Sequence, residues 1–183
     1  MAALRRASQP SDLPGLLAEA RPGDRIEVAA ASFSSPSLLL RAAAPPAQPI
    51  VVAAAEPGRT LLLDTPEIRL EGSGLQLEGF HFPAAAHLRL SGTGHTLRGL
   101  SLEEAPTPSP RETKWISLYG EGHTVEHCYL AGKKTPGATL VVWLSPDRPS
   151  GQHRIRHNHF GHRPPLGQNG GETLRIGDSA TSL

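Results

Sequence analysis

The chain has 183 residues, a formal net charge of +1 at pH 7 and 38% hydrophobic residues, enough for one domain with its own core. This charge balance excludes bulk electrostatic attraction to nucleic acid, although a local basic cleft remains open. The combination of 19 glycines, 18 prolines and only 4% aromatic residues favours turns and short strands over long helices.

The first 24 residues predict a short helix with a lead-in. They contain no continuous apolar run, so the sequence shows neither a signal peptide nor a transmembrane segment. Ser11 or Asp12 offers a side-chain oxygen that can cap the helix, and the Pro-Gly pair at 22–23 would end it. The leucines that would share the buried face are Leu13, Leu16 and Leu17.

Short strands are predicted after the helix, and from residue 68 they form a repeat. Alternation begins at residues 25–28, and residues 50–52 and 61–63 are typical of short buried strands. Copies of a strand, a glycine turn and a second strand then begin at Ile68, Leu88, Ile116 and, more loosely, Val141, with spacings of 20, 28 and 25 residues. The segment from Thr173 would begin a fifth copy.

Repeats of this size without helical periodicity predict a solenoid, with an antiparallel sandwich of hairpins as the alternative. Equivalent positions favour the solenoid, because Gly79 matches Gly99 and one position is always aliphatic. The residues at that position are Leu77, Leu97, Val125 and Ile155. We therefore predict an all-β fold, a right-handed parallel β-helix in one incomplete domain, with cap helix and lead-in over residues 1–24 and coils over 25–183. The helix would cover the N-terminal end, which would otherwise expose strand edges.

Several polar and aromatic residues have two interpretations. Six of the nine histidines lie between residues 123 and 162, either as a metal cluster or as side chains in a polar groove, and their spacing matches no helical zinc signature. Asn158, at a predicted turn, is most simply a structural amide that bonds to neighbouring coils. The lone cysteine, Cys128, is most simply a small buried strand residue. The aromatic side chains of Trp115, Tyr119 and Trp143 either pack in the core or stack on a sugar ring.

The last part of the chain carries a specific resemblance. It contains N-x-F and then R-P-x-x-G-x-N-G-G-E-x-x-R-I-G-x-S, which run from Asn158 to Ser179. This pattern resembles the polysaccharide lyases of family 6, the chondroitinase B and alginate lyase type. The early P-G-D-R-I-E-V segment resembles the first coil of that family, so the resemblance covers essentially the whole chain.

The resemblance implies β-elimination at a uronic acid of an acidic polysaccharide, with alginate favoured and chondroitin or dermatan sulfate second. The reaction needs a neutralised C5 carboxylate, a base for the C5 proton and an acid for the C4 oxygen. Family members commonly use Ca²⁺, which takes oxygen ligands, and Asn169 resembles one of those ligands.

The remaining calcium ligands and the catalytic lysine and arginine are expected downstream of Leu183, because the chain contains no G-E-x-E segment. We therefore expect no catalytic residue within the chain, a fold truncated before its C-terminal coils, and no turnover by this piece alone. A non-catalytic β-helix that binds acidic polysaccharide is the alternative.

Four residues are predicted to contact the substrate: Arg163, Glu172, Arg175 and Lys133. Arginine suits a uronate because its guanidinium binds a carboxylate with two parallel hydrogen bonds. A structural ion pair is the alternative for Glu172 and Arg175, and a solvated loop position is the alternative for Lys133. No nucleic-acid or membrane partner is expected, and the resemblance implies an extracellular or periplasmic location.

Overall fold

The computed structural model describes residues 2–104, 113–147, 150–164 and 171–178. A 3₁₀ turn at Pro10–Asp12 leads into helix α1 at Leu13–Glu19, and all other regular elements in these ranges are strands. None of the described helical segments is long and apolar enough to cross a membrane.

The strands, numbered in chain order, form three sheets in the described residues. The first sheet contains β1 (Leu4–Ala7), β2 (Arg25–Val28), β5 (Ile50–Ala54), β8 (Leu75–Glu78), β11 (Thr96–Arg98), β14 (Thr124–Glu126) and β17 (Arg154–Arg156). The second contains β3 (Ser32–Phe33), β6 (Leu61–Leu62), β9 (His81–Phe82), β12 (Ser101–Glu103), β15 (Tyr129–Ala131) and β18 (His159–Phe160). The third contains β4 (Leu38–Ala43), β7 (Glu67–Ser73), β10 (His87–Leu90), β13 (Ile116–Leu118), β16 (Leu140–Leu144) and β19 (Leu174–Asp178).

Neighbouring strands in every sheet are parallel, and each sheet takes every third strand of the chain from β2 onward. Each coil therefore contributes one strand to each sheet, as in a parallel β-helix. The predicted all-β solenoid is confirmed, and the alternative of antiparallel hairpins is wrong.

Aliphatic side chains stack from coil to coil and fill the space between the sheets. The predicted column is present, because Leu97 pairs with Leu77 and Val125, and Val125 pairs with Ile155. Leu77, Leu97 and Val125 are at most 1% exposed. Full burial of one such side chain stabilises the fold by about 1.5–3 kcal/mol, so repetition along the columns accounts for the stability of a narrow core.

The corner between the first and second sheets is a left-handed bend in four successive coils. Gly79 and Gly99 have φ values of 78° and 59°, and His127 and His157 take the same conformation at 55° and 54°. Asn158 then ties this corner to the preceding coil: its Oδ1 accepts from the Cys128 amide at 2.9 Å and its Nδ2 donates to the Val125 carbonyl at 2.8 Å. The predicted role of Asn158 as a structural amide is confirmed.

The N-terminal cap is present but differs in detail. Leu13 and Leu17 are buried, and α1 packs against β1 and β4. Asp12 is the N-cap residue, but its carboxylate accepts from the Ser8 and Gln9 amides, which precede the helix. Strand β1 within the lead-in was not predicted, because four residues with two arginines carry little strand signal.

One predicted repeat start is wrong by one residue. Leu140, and not Val141, pairs with Ile116. The sequence Leu-Val-Val-Trp-Leu has no alternation of polar and apolar residues, and a strand without alternation does not reveal its own register. The register is set instead by the preceding coil, in which Ile116 and Leu118 of β13 both point into the core.

Candidate functional site

The N-G-G-E segment leads into β19, the strand of the third sheet that pairs with β16. Glu172 is exposed at this entry, and its carbonyl accepts from the Thr139 amide at 3.1 Å and from Arg163 Nη1 at 2.7 Å. Asn169 lies outside the described residues, so its role as a calcium ligand stays a prediction.

Arg163 holds the backbone around this entry instead of projecting freely from it. Its Nη1 also donates to the Thr139 hydroxyl at 3.2 Å, and its Nη2 donates to the carbonyls of Thr135 and Gly137 at 3.2 and 3.1 Å. Burial lowers the pKa of Arg163, while the charges of Glu172 and Glu104 oppose that shift. The guanidinium thus joins residues 135–139 to the start of β19.

The prediction that Lys133 is a substrate contact at the surface is wrong, because Lys133 is a buried residue that anchors its loop. It is 1% exposed, and its ammonium donates to the carbonyl and hydroxyl of Thr135 at 2.7 and 3.0 Å and to the carbonyl of Pro136 at 3.0 Å. The Glu104 carboxylate accepts from the Lys134 and Thr135 amides of the same loop. A charged lysine is buried only where such acceptors surround it, and no pattern in the sequence predicted them.

Arg175 is the predicted contact that the structure leaves exposed. It lies in β19 opposite Val141 and is exposed together with its neighbours Leu174 and Ile176. Within the described part of the chain, Arg175 and Glu172 form no ion pair with each other, so their alternative interpretation as a structural pair has no support. The four predicted contacts therefore separate into two loop anchors, Arg163 and Lys133, and two exposed side chains.

The residues that the structure describes do not by themselves form a calcium site. In the described ranges no three histidine, cysteine, aspartate or glutamate side chains come together to hold a metal ion. Ca²⁺ takes six to eight oxygen ligands, which one amide and one exposed carboxylate do not supply. The described residues therefore do not make up a complete calcium site.

The histidines form stacks along the coils. The rings of His95, His123 and His153 lie parallel, with centroids 5.2 and 5.0 Å apart. His123 Nδ1 accepts from the His95 amide at 3.1 Å, and His153 Nδ1 accepts from the His123 amide at the same distance. These contacts join successive coils, and they give the three side chains a structural role that neither predicted interpretation included.

Outward aromatic side chains on the third sheet were recognised individually in the sequence, but their pairing was not. Trp115 is 2% exposed and belongs to the core. Tyr119 and Trp143 are half-buried on the outer face, and their rings stack with centroids 5.8 Å apart and planes 13° from parallel. They lie 24 positions apart in sequence and meet only because β13 and β16 are neighbours.

Comparison with known proteins agrees with this fold and motif. Residues 102–183 match the family model of chondroitinase B, whereas no curated protein matches the chain. The PL6 family alginate lyase AlyGC is 29% identical with a TM-score of 0.84, over 100% of this chain and 27% of that one. A mannuronic acid specific family 6 lyase from human gut microbiota is 27% identical with a TM-score of 0.84, over 96% of this chain and 44% of that one.

A further PL6 alginate lyase, solved in complex with a trisaccharide, is 19% identical with a TM-score of 0.72 and supports the fold alone. The chain spans between 27% and 44% of the length of the first two structures. The resemblance seen in the sequence is thereby confirmed: residues 102–183 are similar to the chondroitinase B model, and nearly the whole chain is similar in three dimensions to PL6 family alginate lyases.

Proposed function

We propose that this chain takes part in the cleavage of a uronic-acid polysaccharide by β-elimination, with alginate as the favoured polymer and chondroitin or dermatan sulfate second. The observation that carries the proposal is the N-G-G-E-x-x-R-I-G run of residues 169–177, which lies within the region matched by the chondroitinase B model. The similarity to alginate lyases supports alginate. Export from the cytoplasm is part of the proposal, because such polymers lie outside the cell.

The reaction defines what each participating group must do. A base takes the C5 proton, the C5–H electron pair becomes the C4–C5 double bond, and the C4 oxygen leaves with its bonding pair and receives a proton from an acid. Neutralisation of the C5 carboxylate makes the C5 proton acidic enough to be removed. Calcium held in part by Asn169 would supply this neutralisation. Among the described residues, Arg175 offers an exposed cation for binding a uronate.

The base and the acid are not assigned to this chain. Lys133 is buried against carbonyl oxygens, and the guanidinium of Arg163 is bonded to the backbone of the 135–139 loop. Neither offers a group for proton transfer to a sugar. This supports the expectation that the 183 residues alone bind substrate without turning it over.

The alternative is a β-helix that binds acidic polysaccharide without any chemistry. The outer face of the third sheet favours it as the second candidate, because exposed Arg175 pairs with Val141, two residues before the half-buried Trp143 on the same face of β16. Both candidates predict polysaccharide binding, so only turnover by the full gene product separates them.

The test combines the reading frame beyond codon 183 with an elimination assay. The 183-residue chain and the protein as encoded are incubated with alginate and with dermatan sulfate, and the ultraviolet absorbance of the unsaturated product is followed. We expect turnover only from a form that carries G-E-x-E, a following lysine and an arginine one coil later. An inactive protein with all these residues would overturn the lyase proposal, and turnover by the 183 residues alone would overturn our placement of the base and acid.

A further inference from the structure

The stack of aromatic rings on the third sheet ends at a glycine. Tyr119 stacks on Trp143, and the residue of β19 opposite Trp143 is Gly177. Neighbouring strands lie about 4.8 Å apart, so a side chain at position 177 would continue the stack over the indole ring. Gly177 instead leaves room for about one layer of atoms beside that ring.

Neither the backbone nor the packing requires glycine at position 177. Gly177 lies in extended strand β19, and it is not among the glycines with positive φ. A Cβ built on it would meet no heavy atom within 4 Å, whereas a Cβ on Gly92 or Gly120 would approach backbone oxygen within 2.1 Å. A glycine inside a strand lowers stability relative to alanine, and it often marks a place where a ligand approaches closely.

Three basic side chains lie around this gap, although the whole chain is nearly neutral. The charge of one of them, Arg89, is offset by the Glu67 carboxylate at 3.4 Å. Arg175 lies two residues before Gly177 on the same face of β19 and is exposed. The guanidinium of Arg89 lies 5.3 Å from the centroid of the Tyr119 ring, and the ammonium of Lys114 lies 5.5 Å from that of Trp143. An anionic ligand is therefore favoured at this ring pair.

We propose that Trp143, Arg175 and the space left by Gly177 form a binding subsite for one uronate sugar. The apolar face of the pyranose ring lies against the indole of Trp143, and the sugar carboxylate binds the guanidinium of Arg175. An aromatic ring supplies apolar area at a fixed orientation, and the arginine fork matches a carboxylate. This inference rests on the proposed function and deepens it, because it locates sugar binding on the outer face of the third sheet.

The test measures binding of oligomannuronate and oligoguluronate by titration calorimetry. The variants are Gly177→Val, which fills the gap with a residue suited to strands, Trp143→Leu and Arg175→Gln. We expect each to weaken binding by about tenfold, which corresponds to about 1.4 kcal/mol. The matched control is Arg154→Gln, an exposed strand arginine on the first sheet, which should leave the Kd unchanged.

Circular dichroism and the Tm verify that each variant is folded, and Gly177→Val keeps the test decisive if Trp143→Leu unfolds. Undiminished binding by Gly177→Val and Arg175→Gln overturns the subsite and leaves the proposed function standing. An equal loss in Arg154→Gln also overturns it, because attraction would then be non-specific. Wild-type protein that binds neither oligouronate nor dermatan sulfate oligosaccharides, or that binds only a neutral oligosaccharide such as cellohexaose, overturns both the subsite and the proposed function.

Discussion

Three stacked histidines, His95, His123 and His153, carry hydrogen bonds between coils at one corner of the solenoid. His123 Nδ1 accepts a backbone N–H, and its Nε2 faces the Tyr119 carbonyl at 2.6 Å, so the ring is neutral with the proton on Nε2. Burial lowers the pKa of His123 to about 3, and it lowers those of His95 and His153 as well. A protonated ring would lose its Nδ1 acceptor and repel its neighbours in the stack.

These shifts make the stability of the fold depend on pH. The unfolded chain takes up protons near the ordinary histidine value of 6.5, whereas folded His123 stays neutral down to about 3. Stability from the neutral stack is therefore fully present above about pH 6.5 and is lost as the pH falls toward the folded value.

We expect His123→Gln to lower the free energy of unfolding at neutral pH and to flatten its decline in acid. The variant removes one group that binds a proton only in the unfolded state, so the slope against pH below 6.5 becomes shallower. Urea unfolding from about pH 8 to about pH 4 measures both effects. An unchanged slope would show that His123 does not contribute to the acid sensitivity, and values above pH 7 provide the internal reference.

At the scale of elements, the loop between β15 and β16 is stabilised by two cations, the buried Lys133 and the half-buried Arg163. Lys133 bonds to the carbonyls of Thr135 and Pro136, and Arg163 bonds to those of Thr135 and Gly137. Arg163 also reaches the Glu172 carbonyl at 2.7 Å. The loop of one coil and the first residues of the next strand of the third sheet therefore form one hydrogen-bonded unit, on which the exposed residues of β19 depend for their position.

We expect Arg163→Gln to lower the free energy of unfolding and Arg175→Gln to leave it nearly unchanged. Hydrogen bonds from a charged group contribute about 1.5–3 kcal/mol each, so loss of several in Arg163→Gln should lower the free energy of unfolding by at least about 2 kcal/mol. Arg175 is exposed in β19, and its replacement should change that value by no more than about 0.5 kcal/mol. Denaturant unfolding of the two variants at one pH makes the comparison; equal losses would contradict a purely structural role for Arg163.

At the scale of the whole molecule, the columns of core-facing side chains in the third sheet continue into strand β19, where they become exposed. Leu174 and Ile176 continue columns whose earlier members, such as Leu140 and Val142, are buried. They are 43% and 64% exposed, and the neighbouring cavity of about 320 Å³ is lined partly by Val142, Leu144 and Ile155. In the described residues β19 has a strand partner on one side only, and such an edge attracts further strands.

We expect the 183-residue chain to associate in a concentration-dependent way. The double variant Leu174→Thr with Ile176→Thr should reduce association, because it removes apolar area at the exposed edge. The control is Tyr129→Ser, which replaces a side chain that is 45% exposed on β15, away from this edge. Light scattering at increasing concentration measures the effect. A clean monomer with a sharp, reversible thermal transition would contradict the expectation.

The sequence was sufficient for the fold because a coil repeats its chemistry. The aliphatic column of Leu77, Leu97, Val125 and Ile155 and the matched bend at Gly79 and Gly99 are both visible at spacings of one coil, and both are present. Register was predictable only where polar and apolar residues alternate. In the apolar strand β16 the prediction was displaced by one residue, because the side chains of the preceding coil decide which residues face inward.

The sequence by itself determined the solenoid, the N-terminal cap and the resemblance to family 6 lyases, since these depend on periodicity and on a contiguous motif. Only the tertiary structure decided what individual polar residues do. Lys133 and Arg163 lie among carbonyl groups, while Arg175 is exposed in β19, two residues before Gly177, which pairs with Trp143. The physical reason is that coils of unequal length bring together residues about 24 to 34 positions apart, as for Arg163 and Arg175, while the loop after Lys133 folds back onto its ammonium. These partners decide whether a charge is buried or available to a ligand.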